Sequence, residues 1–285
     1  MKALKLTLRI LGVLVILLLI AGVALFMRGS SAVSKTYEAP VDTIALSGDS
    51  ATLALGEYIV RSHGCQDCHG ANLSGTVMVD APPFLVAASN LTPGAGGIGT
   101  TYTDADWIRT IRHGVKPNGA GTWVMPSEAY YYLNDRELGA LVSYLKQLPA
   151  VDNTLPATEI RPMGRVIAGM DAKFRPTSEL ITGAPRLEGR EPGPTAEWGE
   201  YRASVMCVVC HGQGLTGAQP PNPDAPFAPD LRMAASWSLD DFKSALRTGV
   251  TPDGRELDPE FMPWTALGQL SEDEMTAIHL YLQTL

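Results

Sequence analysis

Hydrophobic and polar residues alternate on three different scales along this chain. Residues 10–27 form one unbroken apolar run, preceded by Lys2, Lys5 and Arg9. A helix of roughly 17–25 apolar residues suffices to cross a bilayer. The flanking cations keep the N-terminus cytoplasmic and send the rest of the chain outside. The run is long for a removable signal peptide, and Ser30-Ser31-Ala32 is a poor cleavage site, so an uncleaved single-span anchor is expected. Beyond it the period shortens to that of surface helices. Leu138, Leu141, Val142 and Leu145 make one apolar stripe, and Met275, Ile278 and Leu282 make another. Each stripe follows a helix-start signal, Asn134-Asp135-Arg136-Glu137 and Ser271-Glu272-Asp273-Glu274. A second helix is predicted behind Thr103 (Trp107, Ile108, Ile111) and another behind Ser238 (Phe242, Leu246). No alternating strand pattern of useful length occurs. The expected fold class is therefore all-α, two units of three or four short helices each, after one transmembrane helix.

The two units repeat one another. Gly56-Glu57-Tyr58 corresponds to Gly199-Glu200-Tyr201, and Gly114-Val115-Lys116-Pro117-Asn118-Gly119 to Gly249-Val250-Thr251-Pro252-Asp253-Gly254. Met125-Pro126 corresponds to Met262-Pro263. The expected organisation is an anchor over residues 1–28, a tether over 29–49, a first unit over 50–149, a linker over 150–196 and a second unit over 197–285. The linker is rich in proline and glycine, and residues 160–174 within it suit a short helix or a bracing strand.

Only four cysteines are present, and all lie in two identical frames: Cys65-Gln66-Asp67-Cys68-His69 and Cys207-Val208-Val209-Cys210-His211. C-x-x-C-H is the attachment sequence of c-type haem. Two thiols add to the two vinyl groups on one porphyrin edge, and the next residue, a histidine, is directed over the iron as proximal ligand. A zinc site needs its two Cys pairs roughly 15–20 residues apart, whereas Cys68 and Cys207 are separated by about half of the 285-residue chain. A thioredoxin-type pair needs a βαβ setting. Disulfides suit an exported chain but leave His69 and His211 unexplained. Two covalently attached haem c groups are expected, held by Cys65, Cys68 and His69 and by Cys207, Cys210 and His211. They supply the apolar core that so small a unit lacks.

The repeated methionines Met125 and Met262 are the expected sixth ligands, since a thioether favours Fe(II). Met78 and Met233 are rivals that do not occupy equivalent places in the repeat. His63, His113 and His279 have no partner in the other unit and are read as packing or surface residues; His113 or His63 offers a contact to a haem propionate. The second ring nitrogen of each proximal histidine needs an acceptor, and the carbonyls of Pro83 and Pro226 are the candidates. Charge narrows the partners. Four of the 22 cations and none of the 30 acids lie in residues 1–28, so the exported body is strongly acidic. That argues against nucleic acid, which calls for a basic footprint.

Both units resemble class I cytochrome c domains: C-x-x-C-H-G near the start, Met-Pro near the end, then a closing helix. The first is similar to the cytochrome c subunits of bacterial membrane-bound alcohol, sugar and sugar-acid dehydrogenases, through Ser89-Asn90-Leu91-Thr92-Pro93, Gly97-Ile98-Gly99 and Tyr102-Thr103-Asp104-Ala105-Asp106-Trp107. The second offers only Ala228-Pro229-Asp230-Leu231 there, and the chain has two haem motifs where many of those subunits have three. The resemblance implies that Asn90 and Thr92 approach the propionates of the first haem. It also implies a non-enzymatic electron carrier on the periplasmic side of the inner membrane. Its anchor would contact membrane lipid. Its partners would be redox proteins: a dehydrogenase or quinol-oxidising donor, and a cytochrome or oxidase acceptor. A diheme enzyme such as a peroxidase is the alternative, opposed by the two methionines that would fill both irons' sixth positions. A diheme subunit of a cytochrome oxidase shares the same plan.

Overall fold

A computed structural model describes every residue except 1, 41, 172–173, 184 and 221–224. Helix α1 (Lys2–Val33) presents its apolar run outward, with Leu18 72% exposed. It is the one helix among the described residues long and apolar enough to cross a membrane.

The first unit contains α2 (Ser50–Ser62), α3 (Cys65–His69), α4 (Asp104–His113), α5 (Ser127–Tyr130) and α6 (Asp135–Leu145). Short polar side chains start these helices by accepting from otherwise orphaned N–H groups. Asp49 accepts from Ala51 and Thr52 at α2, and Asn134 from Glu137 at α6. Thr103 and Asp106 form a full capping box at α4. After α7 (Pro162–Met170) between the units, the second unit repeats the plan with α8 (Ala196–Met206), α9 (Val208–His211), α10 (Leu239–Thr248), α11 (Trp264–Leu267) and α12 (Glu272–Leu282). In both units the entering helix crosses the closing helix at a glycine. A Cβ at Gly56 would stand 2.2 Å from the Ala140 carbonyl oxygen, and one at Gly199 would stand 1.9 Å from that of Ala277. The Gly-Glu-Tyr of each repeat thus marks a close backbone crossing of its entering and closing helices.

The fold is mostly helical, with one addition to the all-α expectation. Strands β1 (Thr76–Ala81), β2 (Phe84–Ala88) and β3 (Glu159–Ile160) form a small antiparallel sheet in the order β1-β2-β3. Its first hairpin turns at Pro82-Pro83. Val77, Met78 and Val79 are all partly exposed, so neither face is buried and no alternation is imprinted on the sequence.

Of the residues expected as a tether, 35–40 and 42–47 lie along the first unit. Tyr37 N–H donates to the Gly119 carbonyl (2.8 Å), and Asp42 joins Arg112 (2.9 Å) and His113 (3.0 Å). Ile44 and Leu46 pack on the core. Parts of the segment expected as a linker are held as well: β3 completes the sheet, and α7 packs on the last turns of α1. The two units share a continuous core, in which Trp198, Tyr201, Val205 and Ala277 of the second join Ile59, Leu133 and Leu138 of the first.

Candidate haem sites

Cys65 and Cys68 fall one turn apart on α3, so both thiols emerge on one side of the helix with His69 just beyond. That side opens into an apolar cavity of about 1100 Å³, counted with its mouth. Cys65, Cys68, His69 and Met125 all line it, together with Trp107 and Ile111 from α4. The donor set, the apolar walls and the size fit a porphyrin attached through two thioethers, with a histidine and a methionine available to its iron. Met78 also reaches this cavity, from β1. What separates it from Met125 is the repeat: the Met-Pro turns superpose in backbone terms. Pro126 (φ −78°, ψ 61°) starts α5 and Pro263 (φ −75°, ψ 60°) starts α11. The next N–H in each turns back to the methionine carbonyl, Ser127 to Met125 (2.8 Å) and Trp264 to Met262 (2.6 Å). Met262, Cys207 and Val208 all pack against the second core. Met233 is half exposed on a 3-10 turn.

The ring of each proximal histidine is fixed by a backbone acceptor. His69 Nδ1 lies 2.8 Å from the Ser89 carbonyl oxygen, and His211 Nδ1 lies 2.8 Å from that of Pro229. A carbonyl only accepts, so each Nδ1 carries the proton and each Nε2 keeps the lone pair that a metal takes. These acceptors replace Pro83 and Pro226. The Pro83 carbonyl is engaged by the Arg161 N–H (3.0 Å) at the hairpin turn, and Pro226 is exposed. Aligning Asn90-Leu91 with Asp230-Leu231 in the repeat puts Ser89 opposite Pro229, and that register was the signal available in the sequence.

Asn90 and Thr92 are also reassigned. Both are buried and absent from the cavity wall. Asn90 Nδ2 donates to the Val151 carbonyl (2.8 Å), its Oδ1 accepts from Thr92 N–H (2.9 Å), and Thr92 Oγ1 accepts from Val151 N–H (3.1 Å). They clamp the start of the inter-unit segment because their polar atoms, once buried, need partners that this strand of backbone supplies. Ser89 and Leu91, the residues between and before them, are the ones that face the cavity. His113 likewise turns away from it, to Asp42. His279 approaches the Trp237 carbonyl (3.1 Å), and His63 approaches the Ser62 hydroxyl (3.0 Å).

The segment after each histidine is strained in the same way. Gly70 (φ 77°, ψ 162°) and Gly212 (φ 77°, ψ 164°) occupy a region open essentially to glycine alone. Leu73 (φ 60°) and Leu215 (φ 59°) are left-handed, although neither is glycine, and both side chains are buried. A glycine would relieve the backbone but forfeit the apolar burial, and here burial prevails. The loop then closes with Gly75 N–H on the His69 carbonyl and Gly217 N–H on that of His211.

The surroundings of the four cysteines disfavour the thiolate form. Burial pushes the Cys65 and Cys207 thiols up to about 12, and it raises Cys68 and Cys210 as well. A redox-active or zinc-binding cysteine has its pKa lowered. Burial also lowers the pKa of His69 and His211, which favours the neutral, ligating imidazole. The two sites are close neighbours: α5, which follows Met125, contacts α9, which carries Cys210 and His211. Glu128 sits at that junction, and burial pushes its carboxyl up to about 7.

Comparison with known proteins agrees with this geometry. Residues 202–285 match the cytochrome c family, and residues 51–145 match the family described as cytochrome c oxidase, cbb3-type, subunit III. The fructose dehydrogenase cytochrome subunit of Gluconobacter japonicus is 25% identical over 275 residues, covering 86% of this chain and 55% of that protein. The cytochrome c subunit of alcohol dehydrogenase (quinone) from Gluconobacter oxydans is 26% identical over 234 residues, covering 72% and 48%. A diheme cytochrome c-type protein of Cereibacter sphaeroides is 27% identical over 296 residues, covering 93% of this chain and 97% of that protein. The chain thus spans about half the length of the two dehydrogenase subunits and nearly all of the diheme cytochrome. The chain is a c-type cytochrome of two cytochrome c domains, and it carries two covalently bound haem c groups.

Proposed function

We propose that the protein is a membrane-anchored electron carrier that passes single electrons from a dehydrogenase or quinol-oxidising donor to a respiratory acceptor on the periplasmic side. In this reading Cys65 and Cys68 bind the first haem and Cys207 and Cys210 the second. His69 with Met125 would hold the first iron, and His211 with Met262 the second. When bound, the iron supplies a one-electron couple whose potential is raised by histidine–methionine ligation. The protein's share is to fix the ligands and exclude water. The Ser89 and Pro229 carbonyls hold the two imidazoles in the metal-binding tautomer. Trp107, Ile111 and Leu141 keep the first site apolar.

The observation that carries this reading is the convergence of Cys65, Cys68, His69 and Met125 on one apolar cavity, with its ligand turns repeated in the second unit. With a methionine available beside each histidine motif, neither iron would keep an open position for substrate, which favours a carrier over a peroxidase. The dehydrogenase subunits among the relatives support a dehydrogenase donor, and helix α1 supports the anchor. The test is electron paramagnetic resonance and redox titration of the purified full chain with its Met125→Ala and Met262→Ala variants. Each variant is expected to turn one of two low-spin ferric signals high-spin and to lower one potential. A high-spin signal in the unaltered protein would instead support catalysis at an open iron.

A further inference from the structure

Helix α7 is apolar on both faces, and only one face has a protein partner. Gly164, Ala168 and Gly169 are buried. A Cβ at Gly169 would stand 2.1 Å from the Leu25 carbonyl oxygen of α1, and one at Gly29 would stand 1.7 Å from that of Arg165, so the two helices touch backbone to backbone. On the opposite face Met163, Val166, Ile167 and Met170 recur at helical spacing as one stripe. Met163 is 51% exposed and Met170 is 68% exposed, and Val166 and Ile167 are only partly covered. Large side chains thus face away from the protein, and small ones face it.

The level of this stripe along α1 identifies what covers it. The apolar run of α1 has its midpoint between residues 18 and 19. At 1.5 Å per residue, Leu25 lies about 10 Å and Gly29 about 16 Å from that midpoint. Half the hydrocarbon thickness of a bilayer is about 15 Å. The contacts of α7 with Leu25 and Gly29 therefore straddle the boundary between acyl chains and headgroups, the depth at which interfacial amphipathic helices bury an apolar face. Arg28, exposed between those two contact points, is placed for headgroup phosphates.

We infer that α7 lies in the outer boundary of the bilayer with Met163, Val166, Ile167 and Met170 embedded among lipid, which makes the first haem unit the membrane-proximal one. This rests on the reading that α1 spans the membrane. The link from α7 to the first site is direct. Phe84 packs against Gly164 and stacks on Phe174 (centroids 5.1 Å apart), which stacks on Trp123 (5.0 Å) at the cavity wall.

The test reconstitutes the full-length holoprotein in phospholipid nanodiscs containing a lipid with a photoreactive diazirine near the top of its acyl chain, followed by peptide mass spectrometry. Crosslinks are expected both within residues 10–27 and within residues 163–170. In a Met163→Glu, Met170→Glu double variant the α7 crosslinks should fall at least tenfold, with the α1 crosslinks and the haem absorption spectrum unchanged. Labelling of α1 without α7 in the unaltered protein overturns the inference and leaves the anchor standing. Labelling of neither overturns both.

Discussion

Gly199 shows how much one hydrogen atom decides. At the crossing of α8 and α12 the added methyl of Gly199→Ala meets the Ala277 carbonyl at 1.9 Å, a backbone atom with no freedom to move aside. Overpacking of this kind costs about 1–3 kcal/mol. Denaturant unfolding of the holoprotein should place Gly199→Ala at or above the top of that range. Gly193→Ala, whose methyl meets nothing within 4 Å, should stay within about 0.5 kcal/mol of the parent. Equal costs for the two would remove the crossing as the explanation. His113 is a second residue with a measurable signature. Burial lowers its pKa despite the Asp42 carboxylate beside it. The folded state therefore binds fewer protons than the unfolded chain below about pH 6.5, the ordinary histidine value, and stability falls as pH falls through that point. Burial opposes ionisation of Asp42 too, but hydrogen bonds from Arg112 and His113 outweigh it and hold the carboxyl below its usual range. Its contribution is present at neutral pH and is lost only at more acid values. In thermal melts between pH 7.5 and 5, His113→Gln should narrow its gap to the parent as pH drops, and parallel curves would refute this account.

At the scale of elements, the two units are joined by an exchange of hydrogen bonds across their repeat. Tyr58 of α2 donates to Glu274 of α12, and Tyr201 of α8 donates to Glu137 of α6. Arg202, fully buried, lies between the carboxylates, 3.1 Å from each. Removing one partner of a buried ionic group leaves uncompensated charge and costs about 3–5 kcal/mol. Arg202→Met should do so in urea titrations, and adding Glu137→Gln and Glu274→Gln should recover part of the loss. A cost below about 1 kcal/mol for the single change would mean water reaches these groups. This latch also explains what was and was not legible in the sequence. The signals Asn134…Glu137 and Ser271…Glu274 read as equivalent helix starts, and both helices begin there. Only Ser271 has the reciprocal box, although Glu137 and Glu274 alike reach Arg202 and a tyrosine of the other unit. Local pattern fixes where a helix begins, and tertiary partners choose where its carboxylate points. The same limit applied to Asn90 and Thr92, whose partners at Val151 are some sixty residues away. The cysteine, histidine and methionine positions were readable because the repeat states them twice, whereas Arg202 stands opposite Ile59 and has no echo.

For the whole molecule, the shared core makes the two haem units one cooperative body. Trp198, Tyr201, Val205 and Ala277 are counted in the second unit by sequence, yet they are buried against Leu133 and Leu138 of the first. Opening the second unit would therefore strip apolar cover from the first and break the Arg202 latch in the same event. Independent units open with separate free energies, whereas units that share burial open together. Met275 offers a clean probe, being fully buried and belonging to the second unit's own core cluster, not to the shared one. Met275→Ala should cost about 2–5 kcal/mol. In hydrogen exchange of the holoprotein, the slowest amides of α8 and α12 should lose that protection, and the slowest amides of α2 and α6 should lose the same amount. Loss confined to α8 and α12 would show that the first unit stands alone, and that the rigid spacing of the two sites depends on something other than this core.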